Sequence, residues 1–162
     1  MLSISFTGYR PEKCPYFSED DPMCVDLKER LRSAIEEYIL QGAENFYTGM
    51  ARGVDTWSAE AVLELRRNYP DIKLHAVIPY KGQSDSWSVE DKLRYRKILN
   101  ECDSRTITCP YYIRGCMMIR NRYLVDHCDV LLAVYDGQKG GTRSTIEFAR
   151  EAGKKVEIIP LM

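Results

Sequence analysis

Apolar positions along this chain fall into short blocks whose period switches between that of a strand and that of a helix. Leu2–Phe6 reads as a first strand and runs at once into Thr7-Gly8-Tyr9-Arg10-Pro11. From about Pro22 to Gln41, Leu27, Leu31, Ala34, Ile35, Tyr38 and Ile39 keep one apolar face at helical spacing. Asp21 is placed as its N-cap, Pro22 as its first residue and Gly42 as its stop. A second strand, Asn45–Thr48, leads through Gly49-Met50-Ala51-Arg52-Gly53 into a helix ending near Asn68. Ile72–Ile78 is a third strand. Ser88–Cys102 is helical, with Ser88 and Asp91 spaced like a capping box.

The remaining elements follow the same alternation. Arg105–Cys109 is a short strand, and Arg114–His127 a helix with Met117, Met118, Leu124 and Val125 turned inward. Val130–Tyr135 is almost unbroken apolar, which suits a central parallel strand covered on both faces. Arg143–Ala152 is the last helix, stopped by Gly153, and Lys155–Pro160 the last strand. Strands alternating with helices imply βαβ units. The expectation is therefore α/β: a single Rossmann-like, doubly wound domain over residues 1–162 with a mostly parallel sheet. Ligands of such sheets bind beyond the carboxyl ends of the strands.

Composition narrows the function classes. The 162 residues are 44% hydrophobic and 29% charged, with a net charge of −1. That near-neutral charge disfavours a sequence-independent nucleic-acid binder, which carries a large positive excess. No apolar run approaches roughly 18 residues, so no membrane helix is expected. The N-terminus lacks the charged and apolar regions of a signal peptide. The six cysteines, at 14, 24, 102, 109, 116 and 128, form no C-x-x-C pair. Their pattern predicts reduced thiols in a cytoplasmic protein and no metal site.

Three glycine-containing turns each follow a strand, so a parallel sheet carries all of them on one edge. They are Thr7–Arg10, Thr48–Asp55 and Asp136–Thr142, and the last two open helices. Glycine lets backbone N–H groups approach an anion, and a helix N-terminus adds free donors and partial positive charge. Arg10, Arg52 and Arg143 supply guanidinium groups, and Thr142, Ser144 and Thr145 supply hydroxyls. Gly8, Tyr9, Gly49, Met50, Ala51, Gly53, Gly140 and Gly141 shape the cradle. Neither G-x-G-x-x-G nor G-x-x-x-x-G-K-[ST] occurs, so this is neither a standard dehydrogenase nor a P-loop NTPase.

Other candidates carry two readings each. Asp55 either accepts from a ribose hydroxyl or caps its helix. Trp57 and Trp87 either stack on a base or pack internally. Arg120 and Asn121 either reach the carboxyl edge of the sheet or face solvent. His75 reads as a sheet residue, and His127 as a helix-terminal residue.

These motifs resemble a known family. Residues 48–60, Thr-Gly-Met-Ala-Arg-Gly-Val-Asp-Thr-Trp-Ser-Ala-Glu, resemble the signature of the SLOG superfamily, and its YpsA-like branch most. Thr7-Gly8-Tyr9-Arg10 and Trp87 also look like that branch. The superfamily includes the DNA-processing protein DprA, whose S-G-x-A-x-G-I-D, R-N-R and glycine-serine-threonine segments resemble residues 49–55, 120–122 and 140–145 here. It also includes the LOG nucleotide phosphoribohydrolases, whose P-G-G-x-G-T-x-x-E motif is kept only at Gly141-Thr142. Position 145 is Thr instead of Glu, and the nearest acid is Glu147. The resemblance implies a Rossmann-like sheet binding nucleotides or NAD-derived ligands such as ADP-ribose, and links to stress signalling or cell division.

Three functions compete on these grounds. The first is a nucleotide-binding regulator or sensor without catalysis. The second is a hydrolase of nucleoside phosphates or NAD derivatives, with Asp55 and Glu60 as carboxylates and Arg120 as phosphate anchor. The third is a single-strand binder of the DprA type, which the net charge disfavours. Methionines and tyrosines on the 114–127 helix leave a homodimer open.

Overall fold

The apolar run near the C-terminus finds its place inside the sheet. In the computed structural model, which describes residues 2–162, β5 (Val130–Val134) is buried at every position. Val130, Leu132 and Val134 face one core cluster, and Leu131 and Ala133 face a second. A strand covered on both faces needs apolar residues at both phases of its pleat.

The other strands are β1 (Leu2–Thr7), β2 (Ala43–Thr48), β3 (Lys73–Ile78), β4 (Ser104–Ile107) and β6 (Lys155–Ile159). All six pair in parallel in the order β4-β3-β2-β1-β5-β6. The helices are α1 (Pro22–Leu40), α2 (Val54–Leu65), α3 (Val89–Glu101), α4 (Cys116–Asp126) and α5 (Gly141–Glu151). The chain builds outward from β1 to β4, then returns to β5 on the other side of β1. The switch point therefore lies between β1 and β5. On one face Phe6 and Phe46 stack with ring centroids 6.1 Å apart beneath α1 and α2. On the other, α4 and α5 pack over Leu131 and Ala133.

Local chemistry sets the boundaries. Asp21 caps α1 by accepting from the Met23 amide at 2.9 Å, and Pro22 opens the helix. Gly42, at φ 101°, turns the chain out of it. The Ser88 hydroxyl accepts from the Asp91 amide at 3.2 Å and starts α3. His127 ends α4, its Nδ1 2.8 Å from the Tyr123 carbonyl.

Several expectations need correction. α2 stops at Leu65, not near Asn68, and β4 ends at Ile107, not Cys109. α4 begins only at Cys116, after Gly115 in the left-handed region. Of the residues expected to turn inward, Leu124 and Val125 are buried and Met117 half-buried, but Met118 is exposed, and Arg120 and Asn121 are buried alongside. Arg120 turns inward because the Gly49 carbonyl, just past the carboxyl end of β2, accepts from it, and Asn121 Oδ1 accepts from its Nε.

Candidate functional site

The three glycine turns follow β1, β2 and β5, which are neighbours in the sheet, so all three meet at one rim. Between them lies an inner cavity of about 380 Å³, bordered by residues 6–10, Ala51 with Asp55, Gly141 with Thr142, and the buried side of α4. It sits at the switch point.

Each turn is held open by a specific contact. Gly53 has φ 84°, and a Cβ there would collide with the Tyr9 carbonyl. That carbonyl accepts the Val54 amide at 3.2 Å, which ties the second turn to the first. At Gly49 a Cβ would lie 2.6 Å from Arg120 Nη1 and 2.8 Å from Asp55 Oδ2, so glycine leaves room for two buried charged groups. Met50, buried at φ 62°, holds a left-handed conformation costly for a side-chain-bearing residue. The third turn is tied to the first by Tyr9, whose hydroxyl donates to Asp136 Oδ1 at 2.8 Å and accepts from the Gln138 amide at 3.2 Å. Burial, helped by Asp136, pushes the Tyr9 phenol up to about 12. Tyr9 therefore stays a neutral brace.

Anion-binding groups converge on this space. No side chain caps α5, so its first-turn amides are unpaired within the helix and face the rim. One helix terminus contributes only about 0.3–1 kcal/mol. Micromolar affinity requires about 8 kcal/mol, so guanidinium groups must supply much of the rest.

Arg120 is 5% exposed and enters none of the ion pairs among the described residues. Its acceptors are neutral: the Gly49 carbonyl, Asn121 Oδ1 at 2.9 Å and Met117 Sδ at 3.9 Å. Burial pushes the Arg120 pKa down, and Asp55 partly offsets this. Asp55 is 7% exposed and its carboxylate accepts from the Ala51 amide at 3.2 Å, so it braces the turn and does not cap α2. Burial pushes the Asp55 pKa up, against the pull of Arg120. Arg10 and Lys13 add positive charge at the mouth, where the one carboxylate between them, Glu12, is ion-paired to Arg52.

The expected residues divide into groups. Gly8, Tyr9, Arg10, Ala51, Asp55, Arg120, Asn121, Gly141 and Thr142 all line the inner cavity. Gly49, Met50 and Gly53 shape its wall through backbone. Arg52 and Trp87 border a second, outer cavity of about 680 Å³, and Arg52 is ion-paired to Glu12. Arg10, Ala51 and Met117 line both cavities, which are therefore continuous.

The other expected residues lie elsewhere. Trp57 is 4% exposed in the core, with Lys28 Nζ 5.5 Å from its ring centroid, because its helix turns that phase toward the sheet. Glu60 is bound by Arg94 at 2.6 Å, away from Asp55. Gly140, at φ 145°, supplies the turn before α5, while Ser144 lies beyond the cavity on the helix. The Thr145 hydroxyl donates to the Gly141 carbonyl at 2.8 Å, inside the helix. Arg143 and Glu147 pair with each other at 3.4 Å on the exposed side of α5.

Sequence reasoning missed Glu12, Lys13 and Met117 in the inner cavity, and Tyr80, Gln83, Ser86, Ser88, Asp91 and Tyr112 in the outer one. Lys13 lies in the irregular Pro11–Asp21 stretch just past Arg10, and that proximity was the one signal available for it. Among the described residues no group of three or more His, Cys, Asp or Glu is placed to hold a metal ion, and no helix is long and apolar enough to cross a membrane.

Comparison with known proteins agrees with this architecture. A UPF0398 protein of Bacillus thuringiensis is 30% identical over 161 residues, covering 95% of this chain and 85% of its own length. One from Staphylococcus haemolyticus is 26% identical over 166 residues, covering 98% and 89%. Among solved structures, DNA processing protein A from Helicobacter pylori, described by its single-stranded DNA binding mode, superposes with a TM-score of 0.66 at 20% identity. DprA from Streptococcus pneumoniae gives 0.64 at 18%. Each of the two covers 98% of this chain, which spans 65% and 50% of their respective lengths. At that identity they share its fold. The model of the YspA SLOG family, YpsA, matches residues 4–158, and the chain belongs to that family.

Proposed function

We propose that this protein binds a nucleotide or a nucleotide-derived phosphate such as ADP-ribose at the switch point, as a cytoplasmic ligand-responsive regulator. The observation that carries this reading is Arg120. A buried guanidinium costs several kcal/mol to desolvate, and the neighbouring Asp55 carboxyl, beyond ion-pair distance and itself pushed up by burial, offsets this only in part. Here Arg120 lines a cavity together with unpaired helix amides and the exposed guanidinium of Arg10. A phosphate entering that cavity supplies the full counter-charge that Asp55 provides only in part. Asp55, on the same wall, is suited to accept from a sugar hydroxyl.

Binding is tested by thermal unfolding and calorimetry with AMP, ADP and ADP-ribose, on the natural protein and on Gly141→Leu. A Cβ at Gly141 meets only Asn121 Nδ2, at 3.9 Å, an ordinary contact, so a side chain can begin there beside the cavity, and circular dichroism melting verifies that the variant folds. The expected result is a ligand-dependent rise in melting temperature that Gly141→Leu abolishes. An equal response in both proteins refutes the reading.

Hydrolysis of the same ligand is the second reading. It is favoured by one observation, the buried Asp55 carboxyl with its raised pKa inside the inner cavity. Glu60, held by Arg94, is no partner for it. Chromatography of the incubated ligand separates the two: free base supports the hydrolase, and intact nucleotide the sensor. Binding of single-stranded DNA, described for the Helicobacter pylori neighbour, predicts steep salt dependence in a gel shift.

A further inference from the structure

The outer cavity has aromatic and polar walls that phosphate binding does not use. Trp87 is half-buried and fixed edge-to-face against Tyr95, with centroids 5.2 Å apart. Tyr112, 66% exposed, is fixed the same way against Tyr80, also at 5.2 Å. An exposed aromatic held in place by a neighbour presents a flat apolar surface at little conformational cost.

The polar groups there are not equivalent. Gln83 is consumed internally: its Nε2 donates to the Gly49 carbonyl at 3.3 Å and its Oε1 accepts from the Tyr95 hydroxyl at 3.2 Å. Asp91 is different. Its amide is bonded by Ser88, but its carboxylate enters none of the hydrogen bonds or ion pairs among the described residues. It is also the sole carboxylate lining this cavity. Arg10 stands on the boundary between the two chambers.

We infer that the outer cavity is the base subsite of the ligand. Its aromatic ring lies against Trp87 and Tyr112, an exocyclic amine on that ring donates to the Asp91 carboxylate, and Arg10 spans the join to the phosphate. The preferred class is then an aminopurine nucleotide over its oxo counterpart, because an oxo group turned toward Asp91 sets two acceptors against each other. This rests on the phosphate occupying the inner cavity.

Calorimetry with ribose 5-phosphate, AMP and IMP tests it, with chromatography verifying that each ligand stays intact. These probes share the sugar phosphate and differ only in the ring. AMP is expected to bind at least tenfold tighter than ribose 5-phosphate and at least fivefold tighter than IMP. Trp87→Ala should collapse the first ratio toward one. Asp91→Asn should collapse or invert the second, since its amide donates to the oxo group. Circular dichroism melting verifies that both variants fold. If ribose 5-phosphate binds and AMP binds no better, the base subsite is wrong while the phosphate site stands. Ratios unchanged in either variant also overturn it. If none of the probes binds, both readings fail together.

Discussion

Gly53 shows how much a single residue decides here. Its φ of 84° and the Tyr9 carbonyl facing its α-carbon leave no place for a side chain. Gly53→Ala should destabilise the protein by about 1–3 kcal/mol from backbone conformation alone, and further through the clash. Urea unfolding measures this. Arg10 is the opposite case: its side chain is exposed and makes no ion pair among the described residues. Arg10→Ala should leave stability within about 0.5 kcal/mol. It should weaken nucleotide binding roughly 10- to 100-fold, the equivalent of a charge-assisted hydrogen bond worth about 1.5–3 kcal/mol. Arg120 combines both themes. Replacing this buried guanidinium by an apolar chain of similar length relieves its desolvation cost but leaves Asn121 Oδ1 and the buried Asp55 carboxyl without their partner. Arg120→Met should therefore be destabilised by about 1–3 kcal/mol when ligand-free, remain folded, and lose its ligand-induced shift. A ligand-induced shift that survives in Arg120→Met would assign Arg120 a purely structural role.

At the scale of elements, the loop before α1 matters most, because it carries Lys13 to the cavity mouth. Arg94 of α3 grips Glu19 of that loop with two bonds of 2.6 and 2.7 Å, and Glu60 of α2 with two more. Lys28 of α1 adds a fourth member, 2.6 Å from Glu19. The bonds from Arg94, outweighing burial and joined by Lys28, hold the Glu19 carboxyl down at about 2, against an ordinary 4.5. A carboxyl with a depressed folded-state pKa stabilises the fold above its unfolded value and loses that effect as pH falls through the folded one. The stability difference between the natural protein and Glu19→Gln should thus be full above pH 4.5 and shrink as pH falls toward 2. Denaturant midpoints across that range measure it. A constant difference would mean that the network does not anchor the loop.

Elements were largely legible in the chain because their signals are local. Asp21-Pro22, Ser88 and the glycines after α1 and α5 act through their own backbone neighbourhood, and the structure uses each as expected. The phase of α4 was legible in part: Leu124 and Val125 turn inward as their spacing suggests and Met118 does not. For Arg120 and Asn121 the sequence leaves both solvent and the carboxyl edge of the sheet open, and only the fold decides for burial. The two tryptophans could not be separated by sequence either, since tertiary packing alone puts Trp57 in the core and Trp87 at a cavity. Asp91 and Tyr112 reach the outer cavity from α3 and from the segment before α4, far apart in sequence.

At the scale of the whole molecule, strand order does the assembling. Because β2, β1 and β5 are adjacent and parallel, three turns far apart in sequence arrive at one rim, with α4 closing the fourth side. Amide NMR during titration with AMP tests that convergence most directly. The amides of Gly8, Ala51 and Gly141 should shift together and saturate with a single dissociation constant. Shifts confined to one turn, or centred on residues away from this rim, would contradict the account.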